Sequence, residues 1–135
     1  MKQPLLLLVA AALIACSDSF MPTAESVVGD YTLQQLVTVT DTGGKYDWRA
    51  AGATFTISLA SNGTTIGHLF LPHASDEGND VSAEMVGTWT FTDGIVEFDQ
   101  TADTFVKDYP FAAGKNRLVV DRTDPEGHLV VVLTK

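Results

Sequence analysis

Alternation of apolar and polar residues runs through most of this chain and limits it to β-structure. The clearest case is Ala53–Ala60, in which three large apolar side chains alternate with threonine and serine, as on a strand with one buried face. Asn62-Gly63 follows this segment and Asp93-Gly94 ends another, and both dipeptides are typical of tight β-hairpin turns. No stretch long enough for a stable helix has a helical period. The chain is therefore predicted to be all-β.

The same pattern divides the chain into about eight short strands joined mostly by hairpin-length turns. An open meander of this size would leave two unpaired edges and a bare face, and no helix is predicted to cover them. Closure into an antiparallel up-and-down barrel removes both edges, and a two-sheet β-sandwich is the alternative. The predicted strands are Gly29–Thr40, Ala53–Ala60, Thr64–Leu71, Ala83–Phe91, Ile95–Asp99, Thr104–Tyr109, Arg117–Arg122 and His128–Thr134. In the first of them, alternation places Tyr31, Leu33, Gln35, Val37 and Val39 on one face.

The N-terminus has the form of a secretion signal rather than a folded segment. A lysine precedes an apolar run that is too short to span a bilayer. The run ends in Leu13-Ile14-Ala15-Cys16, which resembles the lipobox of bacterial lipoproteins. The resemblance implies cleavage before Cys16 and acylation of this cysteine, the only one in the chain. It also implies a site on the periplasmic face of the outer membrane, because serine rather than aspartate follows as Ser17.

Three segments follow from these patterns: a signal peptide over residues 1–15, a lipidated tether over 16–26, and one barrel domain over 27–135. Hydrophobic residues make up 45% of the chain, which is enough for a folded core. The formal net charge of −9 argues against nucleic acid as a partner, because a polyanion would be repelled.

Two short motifs resemble lipocalins. Gly29-Asp30-Tyr31 resembles the G-x-W opening of that family, with tyrosine in place of tryptophan, and Gly87-Thr88-Trp89 repeats the G-x-W form. The whole of Val27 to Lys135 is similar to small lipocalin-like lipoproteins of bacteria, but it is shorter than full-length lipocalins and lacks their C-terminal helix. The resemblance implies a basic residue from a late strand packed over the Tyr31 ring, and Arg117 and Arg122 are the candidates.

Two functions from different classes remain open at this point. The first is a lipid-anchored binding module whose barrel holds a small apolar ligand. The second is an anchored structural or interaction protein with a filled core that docks on another envelope protein. The large apolar side chains predicted to face inward, and so to line a ligand site if the barrel is hollow, are Phe55, Ile57, Leu59, Met85, Trp89, Phe91 and Phe98.

No residue set in the sequence converges on a reaction, so we expect neither an enzyme nor a cofactor. The histidines are scattered without a metal-binding spacing, and the acidic segment 76–80 does not match a calcium loop. The G-x-S-x-G motif of serine hydrolases is absent from the sequence. The residues weighed for such chemistry are His68, His73, His128, Glu97, Asp99 and Asp103.

Overall fold

A computed structural model describes residues 20–135 of the chain. The predicted signal peptide, the predicted acylation site Cys16 and the first part of the predicted tether lie outside these residues. Within residues 20–135, no helix is both long enough and apolar enough to cross a membrane.

Ten strands and two single-turn helices make up the described part of the chain. The helices are α1 (Ala24–Val27) and α2 (Phe105–Asp108). The strands are β1 (Gly29–Thr40), β2 (Lys45–Asp47), β3 (Thr54–Leu59), β4 (Thr64–Leu71), β5 (Val81–Glu84), β6 (Gly87–Thr92), β7 (Ile95–Gln100), β8 (Phe111–Gly114), β9 (Arg117–Asp124) and β10 (Gly127–Thr134).

These strands form one closed antiparallel barrel. Pairing of β1 with β10 closes the sheet on itself. Two positions around the barrel are each shared by two short strands, because β2 and β3 both pair with β1, and β5 and β6 both pair with β4. The barrel therefore has eight positions occupied in chain order. This confirms the predicted all-β, up-and-down barrel and excludes the β-sandwich.

The predicted strand Thr104–Tyr109 is wrong, because this segment contains the helix α2. Thr104 caps the helix, and its hydroxyl accepts a hydrogen bond from the Val106 backbone N–H. Asp103 and Lys107 form an ion pair at 3.1 Å with the i,i+4 spacing of a helix. Val106 is fully buried in the barrel core. Local capping and one anchoring side chain thus stabilise a helical turn where alternation indicated a strand.

A bulge in β1 changes which of its residues face inward. The pairing of β1 with β10 shifts between Leu33 and Gln35, which adds one residue to the β1 side. Leu36 is consequently buried in the core cluster, whereas Gln35 is exposed. Strict alternation predicts Gln35 on the same face as Leu33. This prediction holds only for the residues before the bulge.

Large side chains fill the middle of the barrel. The central cluster includes aromatic rings such as Phe98 and Phe111, whose centroids are 5.3 Å apart in an edge-to-face arrangement. The buried members of the cluster are Val27, Tyr31, Leu33, Leu36, Ala53, Phe55, Ile57, Leu59, Leu69, Met85, Trp89, Val96, Phe98, Val106, Phe111, Leu118, Val120, Val131 and Leu133.

One end of the barrel is plugged by the segment that precedes β1. We call it the closed end; it comprises α1, the start of β1, the end of β10, and the turns β3–β4, β6–β7 and β8–β9. Val27 is buried there, and its carbonyl accepts a hydrogen bond of 2.7 Å from the Tyr31 hydroxyl. Lys135 Nζ donates to the carbonyls of Ser26 and Val28 and lies 5.5 Å from the centroid of the Tyr31 ring. These contacts tie both termini of the barrel together.

The cation over Tyr31 is therefore Lys135, and the predicted role of Arg117 or Arg122 is wrong. Arg122 instead lies over the ring of Tyr109, 5.6 Å from its centroid. The register explains the difference, because Arg117 pairs with Thr134 at the closed end, while Arg122 pairs with Leu129 towards the opposite end. Lys135 directly follows β10, which runs beside β1.

We expect Tyr31→Phe to lower the stability at neutral pH by about 1 kcal/mol, because the hydrogen bond to Val27 is lost. Burial raises the pKa of the Tyr31 hydroxyl from 10.0 to about 12. The contribution of the neutral hydroxyl is therefore fully present below pH 10 and is lost as the pH rises towards 12. Urea unfolding followed across this range should show the wild-type and variant stabilities converging. Curves that stay parallel would contradict this account of Tyr31.

Candidate functional site

The end of the barrel opposite the closed end contains an open cavity of about 360 Å³. We call this end the mouth; it is formed by the end of β1, the loop after β4, α2 and the β9–β10 turn. The cavity is within the size range of small-molecule sites. Its lining residues are Leu36, Thr38, Val39, Thr40, Trp48, Leu71, Ala74, Phe105, Tyr109, Asp124, Glu126, Gly127, His128 and Leu129.

Trp48 forms one wall of the mouth and is held in place on several sides. Its indole N–H donates a hydrogen bond of 3.0 Å to the Thr38 hydroxyl. Its backbone N–H donates to the Leu36 carbonyl, and its own carbonyl accepts from Ala53. The ring of Tyr46 packs edge-to-face against the indole, with centroids 4.6 Å apart. A wall held this way keeps its shape without a ligand, which reduces the entropic cost of binding.

The opposite wall is supplied by α2. Phe105 and Tyr109 lie four residues apart and both line the cavity, while Val106 between them is buried in the core. The Phe105 ring is 6.1 Å from Phe55, which belongs to the packed core below. Arg122 covers the Tyr109 ring from the side of β9. The helix that alternation failed to predict therefore closes part of the mouth and supplies two of its aromatic rings.

The cavity combines an apolar interior with an acidic rim. Asp124 and Glu126 lie in the β9–β10 turn, where the Asp124 carboxylate accepts a hydrogen bond of 3.0 Å from the Glu126 N–H. His128, also on the rim, contacts the Asp121 carboxylate through Nε2. The remaining lining is mostly aliphatic and aromatic. Such a surface favours an apolar ligand, because binding removes the apolar groups of both the ligand and the cavity from water.

The residues predicted to line a ligand site occupy a different level of the barrel. None of the seven contributes to the mouth cavity. Phe91 is half-buried against the core cluster. The other six are buried within that cluster: Phe55, Ile57, Leu59, Met85, Trp89 and Phe98. Together they form the packed layer on which the cavity rests, with Phe55 in contact with Phe105 at the boundary.

Sequence reasoning missed the residues that line the mouth. Phe105 and Tyr109 have i,i+4 spacing after a capping threonine, which is a helix signal in a segment that was interpreted as a strand. Trp48 lies between the first two predicted strands, where no element was predicted, and it meets Leu36 through the pairing of β2 with β1. No sequence signal predicted the bulge that turns Leu36 inward.

A second cavity of about 450 Å³ lies on the outside, at the interruption between β2 and β3. Its lining is largely polar and includes Gln34, Gln35, Asp47 and Arg49. Its polar side chains are exposed to water, so it is less suited to an apolar ligand than the mouth cavity.

Two strands also bring a serine, a histidine and a glutamate together on the outer face. Ser82 Oγ lies 3.0 Å from His68 Nε2, and His68 Nδ1 lies 2.9 Å from Glu84 Oε1. The order of groups is that of a hydrolase triad. However, the side chains of His68 and Glu84 are 43% and 72% exposed, and neither cavity includes any of the three. Catalysis of this kind depends on preorganised donors in a site that excludes water, so we interpret the trio as a surface hydrogen-bond network.

The other two histidines each contact one carboxylate. His73 Nδ1 is 3.8 Å from Asp80 Oδ1, and His128 contacts Asp121 as described. Across residues 20–135, no group of three or more histidine, cysteine, aspartate or glutamate residues is placed to hold a metal ion.

Comparison of the chain with protein-family models, with curated proteins and with solved structures finds no match.

Proposed function

We propose that the protein is a lipid-anchored cell-envelope lipoprotein with a lipocalin-like barrel that binds a small apolar ligand at its mouth. The observation that carries this proposal is the 360 Å³ cavity, which has a mostly apolar lining and opens at one end of a closed barrel. The other end is plugged by Val27 and α1, so the mouth is the side from which a ligand would reach the barrel.

The arrangement at the closed end supports the lipocalin-like part of the proposal. Gly29-Asp30-Tyr31, which resembles the G-x-W opening of lipocalins, begins the first strand of the barrel, β1. Lys135 packs over the aromatic ring of that motif, which is the role that the resemblance gives to a basic residue. The eight-position meander gives the barrel the strand number that is just wide enough for one small ligand.

The anchor is proposed from the sequence alone. The ending Leu13-Ile14-Ala15-Cys16 supports acylation of Cys16, and several acyl chains would hold the protein stably on a membrane. The outer membrane is the proposed site because Ser17 follows the cysteine. A binding function is proposed in preference to an enzymatic one, because the mouth presents apolar surface rather than a nucleophile beside a base.

We expect titration with the apolar dye N-phenyl-1-naphthylamine to quench Trp48 fluorescence, because the indole lines the cavity. Trp89 is buried in the core towards the closed end, where its indole N–H donates to the Ala60 carbonyl. Its fluorescence should therefore change little. Ala74→Phe fills the mouth without adding a tryptophan and should weaken binding at least tenfold. Ala112→Phe, at an exposed position on β8, is the matched control and should bind like wild type.

Quenching that is equal in Ala74→Phe and Ala112→Phe would place the dye outside the mouth and overturn the proposed site. Absence of any binding would favour the alternative, an anchored envelope protein that acts by docking on a partner. The exposure of the apolar side chain of Ile66 favours this alternative. Its side chain, on β4, is 66% exposed. Val86, which lies between β5 and β6, is exposed as well.

A further inference from the structure

We propose that the closed end of the barrel faces the anchoring bilayer and that the mouth opens away from it. This inference rests on the proposed acylation of Cys16. The first observation is where the chain enters the barrel. Residues 20–28 lie at the closed end, where α1 packs, and Pro22 lies beside Gly94 of the β6–β7 turn. The tether therefore leaves the barrel from the end opposite the mouth.

The length of the tether limits how the barrel can sit. Four peptide units separate Cys16 from Phe20, and they can span at most about 14 Å. The 12-residue strand β1 runs from the closed end to the mouth. At the usual rise and tilt of barrel strands, this length corresponds to a barrel about 30 Å tall. With the barrel upright, a tether of this length lets the closed end, but not the mouth, touch the bilayer that holds the acyl chains.

The exposed side chains at the closed end are suited to a lipid surface. Phe20 and Met21 are 40% and 78% exposed just before α1. Lys115 and Arg117 lie at the β8–β9 turn, and Lys135 follows β10. Three carboxylates of the same end, Glu25, Asp30 and Asp93, match these three cations, and Asp18 in the tether adds a fourth. An end with nearly balanced charge, with apolar side chains beside cations, can approach anionic head groups.

The mouth has the opposite character. Its turns and loops carry far more carboxylates than cations, and Lys107 there is paired with Asp103. Charge repulsion acts over about 8 Å at physiological ionic strength, so the local charge of each end matters more than the net charge of −9. The carboxylates of the mouth are Asp41, Asp76, Glu77, Asp80, Asp103, Asp108, Asp124 and Glu126. Contact between this end and an anionic bilayer would be strongly unfavourable.

This orientation has a functional consequence. A mouth that opens away from the anchoring membrane exchanges its ligand with the aqueous compartment or with a soluble partner. It does not extract the ligand directly from the bilayer that holds the protein. The acidic rim then faces the solvent, where it would attract cationic surfaces.

Depth-dependent quenching of single labels tests this orientation in the full acylated protein. The protein is reconstituted in vesicles of phosphatidylethanolamine and phosphatidylglycerol, and a fluorophore is attached to Lys115→Cys at the closed end or Glu126→Cys at the mouth. Cys16 is blocked by its acyl chain, so the engineered thiol is the only reactive one. Glu97→Cys, on the exposed face of β7, gives an intermediate reference.

We expect head-group spin-labelled lipid to quench the Lys115→Cys label several-fold more than the Glu126→Cys label, and aqueous iodide to show the reverse order. Stronger lipid quenching at the mouth, or equal quenching at the three sites, would overturn the orientation while leaving the anchor intact. Failure of the protein to float with the vesicles would overturn the anchor itself, and the orientation with it.

Discussion

Gly87→Ala is expected to lose about 3 kcal/mol of stability, because a methyl group at this position overpacks a backbone contact. A Cβ on Gly87 would lie only 1.9 Å from the carbonyl oxygen of Asp99. Gly87 pairs with Gln100 at the point where β6 joins both β4 and β7. Relief of the clash requires β6 and β7 to separate at that point. The glycine of the second G-x-W motif is thus required by close approach of two strands.

Urea unfolding followed by far-UV circular dichroism measures this loss. Thr88→Ala is the matched control, because Thr88 is the exposed neighbour of Gly87 on the same strand, and it should change stability by less than about 0.5 kcal/mol. A Gly87→Ala protein as stable as wild type would show that β6 and β7 do not approach as closely as described.

Cys16→Ser is expected to abolish acylation completely, so the intact mass should be that of the uncleaved chain without acyl chains. Serine cannot form the thioether that holds the diacylglycerol group, so neither cleavage before this residue nor acylation should follow. The thermal midpoint of the barrel should not change, because residues 20–135 supply the whole described core.

Ser17→Ala is the control for the anchor, because it alters the neighbouring residue and leaves the cysteine intact. It should be acylated and remain in the membrane fraction. Intact mass measurement of the wild-type protein should show the mass of the acyl chains. A wild-type protein that carries no lipid, or a Cys16→Ser protein that still carries the mass of the acyl chains, would contradict the anchor.

Sequence alone was sufficient for the architecture because alternation and turn chemistry are local. The segment Ala53–Ala60 contains β3, and its inward residues are those that alternation selected. Asp93-Gly94 forms the tight hairpin that its composition predicts, with positive φ at both residues. Asn62-Gly63 is a turn of a different kind, since only Gly63 has positive φ and Gly63 N–H donates to the Ala60 carbonyl.

The candidate site was less accessible to sequence reasoning because it depends on contacts between distant segments. Leu36 faces inward only because of the bulge in β1. The α2 helix is stabilised by burial of Val106 in a core built mainly from strands. The predicted inward residues have large side chains, and such side chains fill a barrel of this width. The cavity is therefore at one end of the barrel, beyond the packed layer.

Native mass spectrometry of residues 17–135, secreted with a cleavable signal peptide that lacks a lipobox and isolated from the periplasm without organic solvent, tests the ligand-binding proposal most directly. We expect a reproducible extra mass that disappears on denaturation, is absent from Ala74→Phe and is retained in Ala112→Phe. That pattern would place a small molecule in the mouth and identify its chemical class. A bare mass in all three proteins, under conditions that preserve the folded charge-state distribution, would contradict the binding function.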